Sequence, residues 1–369
     1  MNGRWQEGLI PHFGVPEKEA EQIKRFFQHM QEFRVAIGND GKEAFNIPVN
    51  NSSADPLYSA LDQITMKDWL QKNNYNSEYL HWYTNYCTRD DFGTPYDQCS
   101  AWAGIHYFAA RKGKGSNAGY SDVLTWPEGN GFLIKHLESS VKDNIQTGCL
   151  ATQVASSEKA ILINYFDTKD QQLKQWEAES CILAVPQFVA ARLLQNKVRE
   201  DSIHKDVQYV PWMVANLLVN SLDEKSGVTL SWDNVIHESK SLGYVNATQQ
   251  LLDGHPTKRN LTYYLPLTDK EVREERKSIE KRTHPEWVEI IMKDLERVHP
   301  DIREKTEEVT IQIWGHAMAQ TKPGWIFGNL RKSLSEPINK SIYFVHTDIA
   351  GISILKKDFI REFRQQVIS

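Results

Sequence analysis

The feature that most constrains this chain lies near its C-terminal end, where IYFVHTDIAGISI occupies residues 342–354. An apolar, β-rich run ends in an acid, Asp348, and is followed by Gly351 and the start of an amphipathic stretch. That is the layout of a strand running into a helix N-terminus. Unpaired backbone N–H groups at such a terminus hold anionic or carbonyl-rich ligands, and an acid at the strand end accepts hydrogen bonds from ribose-like hydroxyls. The same residues also read as a purely structural strand whose acid caps the next helix. The turn that would accompany the ligand-binding version, G-x-G-x-x-G after an early strand, occurs nowhere in the 369 residues.

Other pieces follow one another in a consistent order. VLTWPEGNGFLIKHL (123–137) sets the turn PEGNG before a helix with Phe132, Leu133 and Leu137 on one side. QTGCLATQV (146–154) and ILINYFD (161–167) read as strands, and AESCILAVPQFVAARLL (178–194) contains a strand closed by Pro186. Together with 342–354 these segments resemble the flavin-containing amine oxidase family. YVPWMVANLLV (209–219), LSWDNVIHESKSLGYVNATQQ (230–250) and WGHAMAQTKPGW (314–325) look like a bacterial branch of FAD-dependent oxidoreductases within it.

The resemblance implies roles for particular residues. Asp348 would bind the ribityl chain of FAD, with His346, Thr347 and Gly351 beside it and the backbone of Ile352, Ser353 and Ile354 facing the flavin. Leu150 matches the apolar residue that lies on the adenine, Thr152 sits next to it, and Pro186 ends the strand close to the flavin. Trp212, Trp232, Tyr244, Trp314 and His316 would line the aromatic substrate cavity. Asn216 stands where many relatives carry a lysine that holds a water over the flavin, and is the one polar catalytic candidate. The implied fold is mixed α/β: an incomplete, Rossmann-like FAD-binding domain interleaved with a helix-and-sheet substrate domain. Residues 1–120 would be the helical part of the substrate domain, 121–195 an FAD-binding segment, 196–310 the substrate-domain sheet and helices, and 311–369 the second FAD-binding segment.

Two departures qualify that picture. The nearest imitation of the phosphate turn, GKGSNAG (113–119), has the wrong spacing and follows a helix pattern, so it reads as a flexible basic loop. At the other end LKKDFIREFRQQVIS places Lys356, Lys357 and Phe359 where the family has an acidic, small-residue helix with a glycine. The sequence therefore predicts a truncated or degenerate homologue. It is expected to bind FAD poorly on its own and to depend on a separate N-terminal FAD-binding segment or subunit.

Composition narrows the remaining classes. Forty-three basic and 48 acidic residues leave a net charge of −5, too mixed for a nucleic-acid surface. No apolar run approaches the ~20 residues of a membrane span. The N-terminus shows no basic region followed by an apolar core, which predicts a cytoplasmic protein, or a periplasmic one if an upstream segment carries a signal. Cys87, Cys99, Cys149 and Cys181 lack C-x-x-C spacing and read as reduced, buried thiols. His237, His316 and His346 have no metal-ligand spacing, so no metal is expected. Ser353 lacks the second glycine of a nucleophile elbow.

Local signals fill in the framework. Ile23, Phe26, Phe27, Met30 and Phe33 recur at helical spacing, and Thr65 with Asp68 forms a near capping box. Residues 77–87 and 100–113 read as aromatic-rich helices, and a charged helix is expected from a Thr268–Glu271 capping box, resuming after His284-Pro285. Three functions stay open at this point. The first is an FAD-dependent oxidoreductase acting on a small molecule, most simply an amine. The others are a non-catalytic homologue or partner subunit that has lost FAD, and an unrelated α/β enzyme.

Overall fold

The computed structural model describes all residues except 2, 113–115, 118–123, 125, 223–227, 252–256 and 353–369, together with the side chains of 249 and 250. Helices come first: α1 (Glu17–Val35), α2 (Pro56–Ser59), α3 (Met66–Lys72), α4 (Glu78–Phe92) and α5 (Ala101–Ala109). Then α6 (Gly131–Ser139) leads into β1 (Cys149–Ser156), β2 (Ile161–Asp167), β3 (Gln172–Ala178) and β4 (Cys181–Leu183). Two helices, α7 (Gln187–Leu193) and α8 (Lys197–Asp206), precede β5 (Tyr209–Asn220), β6 (Asp233–Asn234), β7 (Tyr244–Asn246) and β8 (Lys258–Pro266). The chain closes with α9 (Val272–Ile279), α10 (His284–Leu295), α11 (Ile302–Lys305), β9 (Thr306–Ala319), α12 (Asn329–Ser335) and β10 (Ile342–Phe344).

The helical periodicity of the first segment is used as expected. Ile23, Phe26 and Met30 of α1 are buried, with Phe26 edge-on to Trp69, Tyr75 and Phe108. Thr65 and Asp68 form the reciprocal capping box that starts α3. This core does not stop at the early helices. It continues through Leu183, Ala190 and Ala191 to Ile342, Phe344, Ile349 and Ile352, so residues far apart in sequence share one apolar interior.

The described strands form three sheets. β1, β2 and β3 form an antiparallel meander, β4 pairs in parallel with β10, and five strands run in the order β6-β7-β8-β5-β9. In the large sheet Met213, Ala215, Leu217 and Val219 of β5 point to one face. That face packs on Trp287, Ile291, Met292 and Leu295 of α10 in a second core. Alternate residues of β5 point the other way.

The charged helix begins later than its sequence suggests. Glu271, not Thr268, is the N-cap of α9, its carboxylate accepting from Arg273 N at 2.8 Å. The reason is upstream: Leu267 N still donates to Pro211 O (2.9 Å), which holds 266–267 on the edge of β5. The Thr–Glu capping box of this region is Thr283 with Glu286, at the start of α10, with Pro285 in the first turn as expected.

Candidate cofactor and substrate site

The parallel pair β4–β10 builds the centre of the site. Ile342, Phe344 and Leu183 are buried, which draws the two strands together, and Val345 N extends the ladder to Leu183 O at 3.1 Å. The strands end side by side, one leading through Pro186 into α7 and the other into Asp348. Asp348, only 2% exposed, therefore lies over the start of α7. Its Oδ2 accepts from Gln187 N at 2.8 Å and from the Tyr209 hydroxyl at 2.7 Å. The acid does cap a helix, but the one that follows its partner strand.

That arrangement leaves two buried polar atoms unmatched. Asp348 Oδ1 receives no hydrogen bond; His346 Nδ1 lies 3.0 Å away, yet it faces the Asp348 backbone N–H at 3.3 Å, which needs it as an acceptor. Gln187 accepts from Arg199 through Oε1, and its Nε2 has no partner. An acceptor and a donor left over at the same helix start are what a sugar-type hydroxyl, itself donor and acceptor, would satisfy.

The surroundings hold this centre rigidly. Burial pushes the Tyr209 hydroxyl far above its ordinary range, and the adjoining Asp348 charge adds to this, so it stays a proton donor. Burial likewise pulls Arg199 down to about 10, opposed by Asp348, and its guanidinium stacks on the Phe344 ring at 3.9 Å. Arg331 donates to Ile326 O and Ile349 O, both at 2.9 Å, fixing the turn after Asp348. Gly351 ends that turn at φ +95°, where a Cβ would stand 3.2 Å from Val49 Cγ1.

The other expected residues are distributed as follows. His346, Thr347, Gly351 and Ile352 lie in the Asp348 turn and Pro186 caps α7; Ser353 and Ile354 lie outside the described residues. Leu150 and Thr152 belong to another sheet. They sit on β1 of the antiparallel meander, where Leu150 is 62% exposed and the Thr152 hydroxyl donates to Asn164 O at 3.2 Å.

Trp212, Asn216 and Trp314 share the face of the large sheet that points away from α10. Trp212 is the cross-strand partner of Trp314, and Asn216 pairs with Thr310 and Thr262, whose hydroxyl donates to Asn216 Oδ1 at 2.7 Å. Trp314 is 56% exposed on this face, while Trp212 is half-covered by the aromatic end of α4. Tyr244 points to the opposite face. It is wholly buried in the second core, its hydroxyl against His299 Nε2 at 2.6 Å, so it does not line the open face. Trp232 precedes β6 at the far edge of the sheet, its carbonyl accepting from Asn246 N. His316 lies against Phe188 and Tyr209, with ring centroids at 4.8 and 6.0 Å.

One group of acids escaped the sequence reading. Asp233 accepts from the hydroxyls of Tyr86 (3.3 Å) and Tyr264 (2.7 Å), beside the covered side of Trp212. Nearby Asp90 is pushed up to about 8, first by burial and then by the charges of Asp91 and Asp233. Asp91 is held by both oxygens on Arg111 at 2.7 Å. The Asp90-Asp91 pair ending an aromatic helix was the available signal.

No family model matches the sequence, and no curated protein matches it. Solved structures do. Putrescine oxidase bound to putrescine superposes on 97% of this chain and 76% of its own with a TM-score of 0.70, at 15% identity. Cyclohexylamine oxidase from Brevibacterium oxydans IH-35A covers 96% of this chain and 76% of its own with a TM-score of 0.62, at 12% identity. An oxidoreductase from Methanosarcina mazei covers 96% and 73% with a TM-score of 0.59, at 14% identity. The chain thus shares its mixed α/β fold with putrescine oxidase and cyclohexylamine oxidase, as the ordered segments implied.

Proposed function

We propose that this chain is the cofactor- and substrate-binding part of an FAD-dependent oxidoreductase that removes hydride from a small organic molecule, an amine in the first instance. The observation that carries the reading is Asp348: a buried acid at the end of a parallel strand pair, with one oxygen committed to α7 and Tyr209 and the other left without a hydrogen bond, as is Gln187 Nε2. Those residues fit the hydroxylated chain of FAD, and bound flavin would supply the hydride acceptor. The chain's own residues would hold the cofactor at Asp348, Pro186 and Gly351 and position the substrate. Trp212 and Trp314 offer apolar and cation-attracting surface to an amine, and Asn216 offers a polar contact. On this reading 121–195 and 311–369 form the cofactor-binding half and the remainder the substrate half.

The sequence contains no G-x-G-x-x-G turn, and that favours a second reading, a non-catalytic homologue or partner subunit. Titration of the purified chain with FAD, followed by flavin fluorescence quenching and anisotropy, separates the two. The experiment is repeated with a separately supplied strand–G-x-G-x-x-G–helix polypeptide. Weak binding alone, strengthened by the added segment and lowered about tenfold by Asp348→Asn, is expected for the oxidoreductase, as for loss of one charge-assisted hydrogen bond. Free flavin in both mixtures overturns that reading in favour of the second.

A further inference from the structure

Beside the cofactor centre, with which it shares Tyr209, α7, α8, α9 and the end of β9 border a cleft of about 50 Å³. Its charge is lopsided. Arg192, His204, Arg273, Arg276 and His316 face it, and the one acid in its lining is Glu200. Glu200 is itself shared, lying 3.2 Å from Lys197 and 3.9 Å from Arg192. These three arginines and two histidines come from four different elements in a chain whose net charge is −5, so their convergence is a product of the fold.

The hydrogen bonds that Arg273 and Arg276 make leave their charge standing. Arg276 donates to Tyr209 O at 2.7 Å and Arg273 to His204 O, both neutral carbonyls. Among the described residues neither arginine forms an ion pair, in contrast to Arg303, which is held by Glu289 and Glu296. A further acid, Glu271, acts on Arg276 from the α9 cap, where its carboxylate is already engaged with Arg273 N. The His316 imidazole registers the resulting field: burial, then Arg276, Arg192 and His204, hold it below its ordinary range.

The apolar side of the cleft is equally defined. Phe188 packs edge-on to Tyr209 at 5.2 Å and against His316 at 4.8 Å, and Ile203, Val207 and Val272 complete that wall. Like charges gathered beside apolar walls are stabilised by an anion with several acceptor oxygens.

We propose that this cleft is a binding site for a compact oxyanion, the phosphate or carboxylate headgroup of a small molecule, held between Arg192, Arg273, Arg276 and His316. The test uses the full chain without flavin. Isothermal titration with sodium phosphate and, separately, sodium acetate is run against sodium chloride at matched ionic strength, while histidine ring resonances are followed by NMR. One equivalent of phosphate, acetate or both is expected to bind, and the result identifies the headgroup. The His316 titration midpoint is expected to rise on saturation, because an anion offsets the positive field.

Arg192 and Arg273 are both exposed, so Arg192→Gln and Arg273→Gln leave the core intact, and each is expected to weaken binding roughly tenfold. Three results would overturn the assignment. These are no binding of either anion, an equal response to chloride, or unchanged affinity in the double variant with its fold verified by circular dichroism.

Discussion

Asp62 offers a sharp test of how the core is assembled. It lies in the short turn Ala60–Gln63 with no solvent exposure. Its backbone carbonyl accepts from Gly324 N at 2.6 Å and its Oδ2 from Phe327 N at 3.0 Å. Burial pushes the carboxyl from its usual 3.8 up to about 6, with the Phe327 N–H, the Ser100 hydroxyl and Arg331 opposing only in part. Between those two values the folded protein binds a proton that the unfolded chain does not. This group therefore supports stability most below pH ~4, and that support is lost as pH rises through about 6. Roughly two pKa units at 1.36 kcal/mol each make the cost at pH 7.5 about 3 kcal/mol. Asp62→Asn keeps a carbonyl oxygen for Phe327 N and removes the charge. Urea unfolding of both proteins at pH 5 and pH 7.5 should show the variant more stable at pH 7.5, by about 1–3 kcal/mol, with the advantage shrinking at pH 5. A variant less stable than the parent at pH 7.5, or a difference that does not change with pH, would refute the argument that the ionised carboxylate is a net burden.

Two further outcomes follow from the same geometry. Tyr209→Phe keeps the ring contact with Phe188 but removes a donor from the buried Asp348 carboxylate, and should cost about 1.5–3 kcal/mol in urea unfolding. A loss under about 0.5 kcal/mol would mean that the hydroxyl is not holding the acid. Burial pushes the Cys87 thiol up, and that of Cys99 up to about 12, whereas Cys149 and Cys181 are half-buried. A thiol-specific disulfide reagent should modify Cys149 and Cys181 in the native protein and reach Cys87 and Cys99 only on unfolding, with mass spectrometry assigning the sites.

What could be read from the sequence was what local spacing controls. The apolar stripe of α1 and the Thr65–Asp68 box needed only neighbours three or four residues away. The alternation in YVPWMVANLLV likewise puts Asn216 and Trp212 on the face opposite Met213 and Ala215. Asp348 shows where such reasoning stops. Local rules offered it the next helix in the chain, yet parallel pairing with β4 brought it to Gln187, 161 residues earlier. Thr268 failed as a cap for a related reason: the ladder bond from Leu267 to Pro211 kept the preceding backbone on the sheet, and no property of the T-D-K-E spacing reports that bond. Tyr244 carried the same ambiguity as any aromatic residue, settled by its pairing with Tyr263 on the side of α10. The arginine-rich cleft lies furthest from sequence, because its three arginines and two histidines come from four elements and form no motif. A site of that kind exists only once the strand order β8-β5-β9 has set α9 and His316 beside α7, so the fold has to be known before its chemistry can be seen.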